Sequence, residues 1–351
     1  MTNTPEVSII IPAYNEAARL ARCLDAPLRA RTERDWEVLV IDDGSVDGTA
    51  DVARTLGARV IQFPCNQGVA AARNAGAREA RGTLLIFVDG DVVAPLETLY
   101  ALADRLKRDP DVHAMGACPG ENLGTKWSAR FLKMLGEWYM NCYVRSGENV
   151  SCFPSECGAV RRETFFAAGG FPETHGGVGM EEFALGHAME CRGWRNVLLP
   201  DVRYHTYYDS VGERYIELMS RTARWMPLFL RRRRIEPTLG SRAPIGEALS
   251  CLLVALMLVS AIGGVLLHPL WWITPAAVAA HILMQSSWLR FVYRNAQGGA
   301  LMALLSWPIF VAMHLSIVIG AAWGVLRLCW NPDLWRNDVI SHKNDSDPEN
   351  N

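Results

Sequence analysis

The chain has 351 residues, of which 50% are hydrophobic and 21% charged, and its formal net charge is -2. This length accommodates one soluble domain plus an additional segment, and the near-neutral charge gives no support to nucleic-acid binding. The nine cysteines include no CxxC pair, which argues against a zinc knuckle or a thiol-redox site.

The N-terminal half alternates short apolar runs with helical patterns. Runs rich in Val, Ile and Leu occupy 7–11, 38–41 and 84–88, which is typical of strands buried on both faces of a parallel sheet. Between them, 16–28 and 69–80 carry apolar residues at helical spacing. The alternation predicts an α/β fold with a Rossmann-like, mostly parallel sheet.

Acidic residues follow two of these runs. Asp42 and Asp43 end the second run, and Asp89-Gly90-Asp91 follows the third. Ligands of open α/β sheets bind outside the carboxyl ends of the strands. We therefore expect these carboxylates to meet at one edge of the sheet.

Asp89 and Asp91 are expected to bind a divalent cation. Residues two apart on an extended chain point to the same side, and Gly90 permits a close approach. Carboxylate oxygens suit Mn²⁺ or Mg²⁺, which also takes oxygens from a diphosphate. A solvated turn is the alternative for such a triplet.

Two further residues near this edge have both a ligand-binding and a structural interpretation. Asp43 can accept hydrogen bonds from a nucleobase or a ribose, while Ser45 or Asp47 is apt to cap the next helix. Arg73 follows a glycine turn at a helix start, where it can pair with diphosphate oxygens. The alternative for Arg73 is a surface position on an Ala-rich helix.

The C-terminal third is strongly apolar. Segments 248–267, 270–289 and 301–326 are each near or above the length of about 20 residues that spans a bilayer. A basic run at 231–234 precedes them, and the chain start lacks the pattern of a secretory signal. We predict a multi-pass protein of the cell (inner) membrane whose N-terminal domain is cytoplasmic.

Several motifs in order resemble the inverting glycosyltransferases of family 2, which have the GT-A fold. The resemblance covers roughly residues 5 to 230. The motifs are Pro12-Ala-Tyr-Asn-Glu16, Asp42-Asp-Gly-Ser45, Ala72-Arg-Asn-Ala-Gly76, Asp89-Gly-Asp91, Gly169-Gly-Phe171 and Glu181-Glu182.

The resemblance implies roles for the donor side of the site. Asp43 would bind the nucleoside, and Asp89 with Asp91 would hold the metal that steadies the leaving diphosphate. The base and ribose would lie near Pro12, Ala13, Tyr14 and Glu16. His205 stands where many GT-A enzymes supply a third metal ligand; a hydrogen-bonded structural histidine is the alternative.

The acceptor side is expected at Glu181-Glu182. The family motif usually reads Glu-Asp, so Glu182 stands at the position of the catalytic base. Direct displacement at an anomeric carbon needs a base within reach of the acceptor hydroxyl, and Glu182 meets that need with Glu181 beside it. The alternative is an acidic pair in the first turn of a helix.

Arg221-Thr-Ala-Arg224-Trp225 resembles the (Gln/Arg)-x-x-Arg-Trp element of membrane-embedded family members. Arg221 and Arg224 would pair with diphosphate, and the Trp225 indole would stack on a sugar. A basic amphipathic segment at the membrane surface is the alternative.

The prediction is a GT-A domain at 1–230, a basic linker at 231–247, two to three membrane helices at 248–326 and a polar tail at 327–351. It would move a sugar from a nucleotide-diphosphate donor to a hydroxyl of a lipid or lipid-linked saccharide acceptor, in cell envelope glycan or glycolipid synthesis. The alternatives are a processive polysaccharide synthase and a catalytically silent membrane protein that binds a nucleotide sugar.

Overall fold

The computed structural model describes residues 4–124, 126–143, 147–173, 181–207, 210–232, 245–266, 272–294 and 299–330. They form two compact units, with the division at residues 209 and 210. The first unit thus ends about twenty residues before the predicted domain boundary at 230, and helix 211–232 belongs to the second unit.

The first unit is built on one sheet of eight strands with the order β3-β2-β1-β4-β7-β6-β8-β5. The strands are Val7–Ala13 (β1), Glu37–Asp42 (β2), Arg59–Gln62 (β3), Leu84–Val88 (β4), Val92–Val93 (β5), Val112–Asn122 (β6), Cys157–Arg161 (β7) and Arg195–Thr206 (β8).

The three predicted strands are confirmed as β1, β2 and β4. They lie side by side in parallel, with Ile9 opposite Val38 and Ile86, and every residue of the three strands is buried. Continuous apolar sequence is what burial on both faces requires.

The sequence pattern missed β3 and the helix before it. β3 is an edge strand whose four residues are exposed or half-buried, so it needs no apolar run. Asp89-Gly90-Asp91 therefore follows the fourth strand of the chain and not the third.

The far half of the sheet is mixed. β7 runs antiparallel to both β4 and β6, while β6 and β8 are parallel with two of their register shifts at Ala117/Cys118 and Pro119/Asn122. The antiparallel β7 brings the residues that precede it to the carboxyl end of β4. The two residues directly before β7 are Ser155 and Glu156.

Helices cover both faces of the sheet. The first unit contains Leu20–Arg34 (α1), Thr49–Thr55 (α2), Val69–Glu79 (α3), Leu96–Arg108 (α4), Trp127–Tyr143 (α5), Arg162–Ala167 (α6) and Glu181–Glu190 (α7).

α1 begins at Leu20, four residues after the predicted start at Glu16. Asn15 adopts a left-handed conformation with φ 57°, which a right-handed helix excludes. Residues 15–17 form a loop that reaches the loop after β2. The predicted helix over 69–80 is confirmed as α3.

α3 packs closely on the sheet at Gly76. A Cβ at this position would lie 2.7 Å from Ile41 Cδ1 and still closer to Ile10 Cγ2. Only glycine allows this approach, because such a contact would displace β1 or β2. The contact fixes the distance between α3 and the sheet.

The second unit consists of helices. They are Val211–Arg232 (α8), Ile245–Leu266 (α9), Ile273–Met284 (α10), Ser286–Arg294 (α11) and Gly299–Trp330 (α12).

Two stretches within these helices, Gly246–Gly263 in α9 and Ala300–Trp330 in α12, are long and apolar enough to cross a membrane, by length and composition. The middle predicted segment, 270–289, instead contains the 12-residue α10 and the separate α11. Twelve residues are too few to span a bilayer at 1.5 Å per residue.

α8 packs against α12 along small residues. A Cβ at Gly324 would lie 2.5 Å from the Ala223 carbonyl oxygen, and one at Gly320 would meet that of Met219. Glycines four apart let two helix backbones approach closely. The element that contains Arg221 and Arg224 is thereby fixed to the longest apolar helix.

A chain of hydrogen bonds links α9, α10 and α12. The Trp307 indole donates to His281 Nδ1 at 3.1 Å, His281 Nε2 lies 3.1 Å from His314 Nδ1, and His314 Nε2 lies 2.7 Å from Glu247 Oε2. Both histidines are buried. If each imidazole donates from Nε2, every bond has one donor and one acceptor with both rings neutral.

Candidate active site

The loops after β1 and β2 are bound together by reciprocal hydrogen bonds. The backbone N of Asn15 donates to Ser45 Oγ at 2.9 Å, and Val46 N donates to the side-chain Oδ1 of Asn15 at 3.0 Å. Asp47 Oδ2 accepts from Ala17 N at 3.0 Å, and its Oδ1 accepts from Thr49 N at 3.0 Å. The two strand ends therefore present one fixed polar rim.

Asp43 holds the start of α3. Its Oδ1 accepts from Gln67 N at 2.7 Å and its Oδ2 from Gly68 N at 2.9 Å, while its own N donates to Ala13 O. Both carboxylate oxygens thus engage the backbone, and the side chain is 3% exposed. Asp43 therefore ties the residues before α3 to the end of β2, at the predicted nucleoside position.

The other predicted donor-side residues surround the end of β1. Pro12 and Ala13 are the last two residues of that buried strand. Tyr14 follows with 47% of its surface exposed, and Glu16 is half-buried with its N donating to Thr49 Oγ1 at 2.8 Å. An exposed aromatic ring at a strand end is suited to contact a planar base.

Asp89-Gly90-Asp91 turns directly against the end of β1. A Cβ at Gly90 would lie 2.9 Å from Pro12 O, so the turn needs glycine. Asp89 N donates to Glu156 O and its own O accepts from Val92 N, both at 3.0 Å. These bonds place the two aspartates beside the polar rim.

Arg73 lies beneath the site and not at its surface. Its Nη2 is 2.7 Å from Asp89 Oδ1 and its Nη1 is 3.3 Å from Glu181 Oε1, with 2% of the side chain exposed. Burial opposes its charge, but Asp89, Glu182 and Glu181 outweigh burial and raise the pKa of the guanidinium. Arg73 thus pairs with carboxylates here, and the diphosphate contact expected from the sequence stays a prediction.

The carboxylates of the site hold protons unusually strongly. Burial, followed by the charge of Asp91, raises the pKa of Glu16 to about 7. Burial also raises the pKa of Asp89 to about 6, against the opposing effect of Arg73, and raises the pKa of Asp91, with Glu156 contributing. Such a concentration of negative charge favours a bound cation.

The carboxylate oxygens of Asp89 and Asp91 are ligands of the kind that Mg²⁺ or Mn²⁺ takes. Within the residues described, no group of three or more His, Cys, Asp or Glu side chains is arranged to hold a metal. Mg²⁺ is commonly bound by one or two carboxylates together with substrate phosphates and water. The hard oxygen donors and the raised pKa values are consistent with that mode.

His205 is oriented by the backbone. It lies opposite Val93 in the β5–β8 pair, and its Nδ1 accepts from Glu121 N at 3.0 Å. This bond places the ring proton on Nε2, the tautomer that has no lone pair there to offer a metal. In this conformation the geometry favours the structural alternative for His205.

Sequence reasoning missed the residues just before β7. The Tyr204 hydroxyl donates to Glu156, whose charge contributes to the raised pKa of Asp91. Ser155 Oγ donates to Glu182 Oε1 at 2.6 Å. The available signal was an acidic residue immediately before a short apolar strand, and only the antiparallel pairing of that strand brings it to the site.

The adjacent glutamates of α7 have different surroundings. Glu181 is 3% exposed and is paired with Arg73, whereas Glu182 is half-buried and is bound by Ser155. The Gly-rich stretch at 176–179 that precedes them lies outside the described residues. Glu181 is therefore a buried carboxylate in a structural ion pair, and Glu182 is the carboxylate nearer the solvent.

The Arg221 element belongs to the second unit. Arg221 Nη1 lies 2.9 Å from Glu217 Oε1, and Arg214 Nη1 lies 2.7 Å from Glu217 Oε2, along α8. Arg224 is half-buried, and the side chain of Trp225 is outside the described part. The predicted diphosphate and sugar contacts of Arg221, Arg224 and Trp225 stay predictions.

Residues 8–166 match the family described as Glycosyl transferase family 2. The match spans β1 to β7, including Asp43, Arg73 and the two aspartates after β4. This stretch, somewhat under half of the chain, is similar to that family. Its sheet is of the mixed α/β GT-A type, as the motifs predicted.

Curated relatives match part of this chain. Glycosyltransferase AglE of Haloferax volcanii is 42% identical over 98 residues, 26% of this chain and 32% of the relative. Dolichyl-phosphate beta-glucosyltransferase ALG5A of Trichomonas vaginalis is 32% identical over 113 residues, 29% of this chain and 35% of the relative. The chain thus matches about a third of the length of each relative.

A solved structure resembles nearly the whole chain. The mannosyltransferase of Pyrobaculum calidifontis, solved with GDP-Man and Mn²⁺, superposes with a TM-score of 0.55 over 93% of this chain and 88% of its own. Its sequence identity of 20% supports a shared fold only.

Proposed function

We propose that the protein is an inverting, metal-dependent glycosyltransferase that uses a nucleotide-diphosphate sugar. The observation that carries the proposal is that Asp43 follows the end of β2 and that Asp89 and Asp91 follow the end of β4, the two strands that flank β1, within the stretch that matches family 2. Arg73 physically joins the aspartate turn to α7, with contacts of 2.7 and 3.3 Å.

The donor would lie over the ends of β1, β2 and β4. The base and ribose would contact Tyr14 and the rim shaped by Asp43, and the diphosphate would face Asp89 and Asp91. A Mn²⁺ or Mg²⁺ ion held there would stabilise negative charge on the departing diphosphate. Arg73 holds Asp89 in place from below, so the carboxylate is preorganised for that purpose.

Glu182 would be the base for the acceptor. The acceptor oxygen forms a bond to the anomeric carbon while the bond from that carbon to the diphosphate oxygen breaks, and the hydroxyl proton passes to the Glu182 carboxylate. This single displacement inverts the anomeric configuration. General-base catalysis of this kind contributes typically 10²–10⁴-fold in rate.

We propose a lipid or lipid-linked saccharide acceptor at the membrane. Two apolar helices of the second unit support a membrane location, and large apolar side chains on α9 and α12 are exposed, including Leu252, Val259 and Leu304. A dolichyl-phosphate glucosyltransferase among the relatives is consistent with a lipid acceptor. We place the first unit on the cytoplasmic side, where nucleotide sugars are available.

Release of nucleoside diphosphate tests the proposal. Detergent-solubilised protein is incubated with a panel of nucleotide sugars and Mn²⁺ or Mg²⁺, with and without a membrane lipid extract. We expect release that requires the metal and the extract and that Asp91→Asn and Glu182→Gln each abolish.

Two other results would contradict the proposal. Donor binding without release for any sugar would favour the silent nucleotide-sugar-binding protein. A product of many sugar units from each binding event would favour the processive synthase. Exposed Asp51, which is paired with Arg54 on α2, provides Asp51→Asn as a control that should retain activity.

A further inference from the structure

The segment between β6 and β7 reaches the acceptor side of the site through Ser155. Its hydroxyl donates to Glu182 Oε1 at 2.6 Å, and the serine is 1% exposed. The two residues are 27 positions apart in the chain. This buried hydroxyl therefore donates to the carboxylate of the proposed base, and it can fix the orientation of that carboxylate.

The surroundings of Ser155 are rigid. Ser155 N donates to Phe153 O at 2.9 Å, and Phe153 N donates to Glu182 O at 3.0 Å. The fully buried Phe153 ring contacts those of Phe87 and Phe171, with centroids 5.8 and 5.7 Å away. The serine is therefore anchored to the core of the unit, and its side chain has little conformational freedom.

α7 is held against the same segment. A Cβ at Gly186 would lie 2.8 Å from Cys152 Cα and would meet the Ser151 carbonyl oxygen. This contact fixes the height and rotation of the first turn of α7, which bears Glu182. Backbone packing positions the helix, and the Ser155 hydroxyl then selects the orientation of the carboxylate.

The next residue connects this segment to the donor side. Glu156 O accepts from Asp89 N at 3.0 Å, so consecutive residues contact the proposed base and the aspartate turn. Any shift of the segment would move both. Glu182 also interacts electrostatically with Arg73 from α3 and with Asp89 after β4.

We propose that Ser155 is a positioning residue for the acceptor-side base, holding the Glu182 carboxylate in one orientation. This inference rests on the proposed transfer reaction. A hydrogen bond from a hydroxyl to a carboxylate is charge-assisted and is therefore stronger than one between neutral groups. Ser155 would therefore keep Glu182 positioned to accept the proton of the acceptor hydroxyl.

Ser155→Ala tests the inference through its separate effects on kcat and KM. We expect kcat for transfer to fall about tenfold, in line with the loss of one hydrogen bond to a charged group, with the donor KM little changed. Ser155→Thr, which retains the hydroxyl, should restore the wild-type kcat.

Controls separate positioning from folding. Ser151→Ala removes another buried serine hydroxyl from the same segment and should leave kcat unchanged. Thermal unfolding and calorimetric titration with the nucleotide sugar report whether each variant is folded and binds donor. Wild-type kinetics in Ser155→Ala would overturn the inference, as would a low kcat in a folded Ser155→Thr.

The failure of this inference is distinguishable from failure of the proposed function. If the unaltered protein transfers sugar and Glu182→Gln does not, the reaction stands, and Ser155→Ala alone decides the role of Ser155. If the unaltered protein binds donor but never transfers, both proposals are overturned together.

Discussion

Arg73 on α3 reaches Asp89 after β4 with 2.7 Å between Nη2 and Oδ1, and it does so with 2% of its side chain exposed. The same guanidinium contacts Glu181. Removing one member of a buried ion pair leaves an uncompensated charge, which typically costs about 3–5 kcal/mol. We expect Arg73→Met to lower the free energy of unfolding by about this amount and to abolish donor binding.

The matched control for Arg73 is on the same helix. Arg78 pairs with Glu173 at 3.4 Å, but both side chains are largely exposed. Exposed pairs contribute about 0–1 kcal/mol, so Arg78→Met should change stability little. Urea denaturation followed by circular dichroism measures both variants, and equal losses would contradict the role assigned to Arg73.

Two glycines in helices should respond in opposite directions to alanine. Gly76→Ala would force a methyl group against Ile41 and Ile10, so we expect a loss of about 1–3 kcal/mol from overpacking. A Cβ at Gly136 on α5 would meet none of the described atoms within 4 Å, so alanine there should stabilise by up to about 1 kcal/mol. Thermal unfolding of the two variants checks the signs.

Asp43→Asn tests the support of the nucleoside pocket. Asparagine offers one acceptor oxygen where the carboxylate accepts from both Gln67 N and Gly68 N, and its NH₂ would face a second N–H. We expect a loss of about 1–3 kcal/mol in stability together with weaker donor binding, measured by urea denaturation and calorimetry. Unchanged donor affinity would contradict a role for Asp43 in the pocket.

Glu16 should make the stability of the metal-free protein fall as pH rises. Its pKa is raised from 4.5 to about 7 by burial and by Asp91. Between these values the folded state binds more protons than the unfolded state, so stability decreases with pH through that window. Glu16→Gln should flatten the dependence of the unfolding temperature on pH, in the presence of a chelator.

The test compares the unfolding temperatures of the unaltered protein and of Glu16→Gln across the window between about pH 4.5 and 7. If Glu16→Gln shows the same slope as the unaltered protein between about pH 4.5 and 7, the raised pKa of Glu16 is contradicted.

The sequence predicted the central strands because burial on both faces leaves a clear apolar run, as in β1, β2 and β4. It did not predict β3, whose exposed edge position needs no such run. The acidic clusters were located correctly at strand ends, since parallel strands end at one edge. Their pairing was not predictable: whether Arg73 meets phosphate or carboxylate depends on its depth, which local sequence does not encode.

The residues that precede β7 were likewise not predicted from the local sequence. Ser155 and Glu156 reach the site because β7 runs antiparallel to β4, and strand order and direction depend on contacts between distant parts of the chain. In the C-terminal third, composition predicted apolar helices, but it did not predict the break between α10 and α11 at Gln285. Only two of the three predicted segments contain a stretch long enough to span a bilayer in the described part of the chain.

The hydrogen-bonded chain of the second unit should hold its helices together cooperatively. His281 on α10 and His314 on α12 are 0% and 1% exposed and lie 3.1 Å apart through their ring nitrogens. Replacing either by leucine leaves a buried partner unsatisfied, so each single variant should lose about 1–3 kcal/mol. A double-mutant cycle in detergent should give a coupling of about 0.6–1.7 kcal/mol. Leu304→Ala, at an exposed position of α12, is the control; additive losses for the two histidines would show that the chain does not act as a unit.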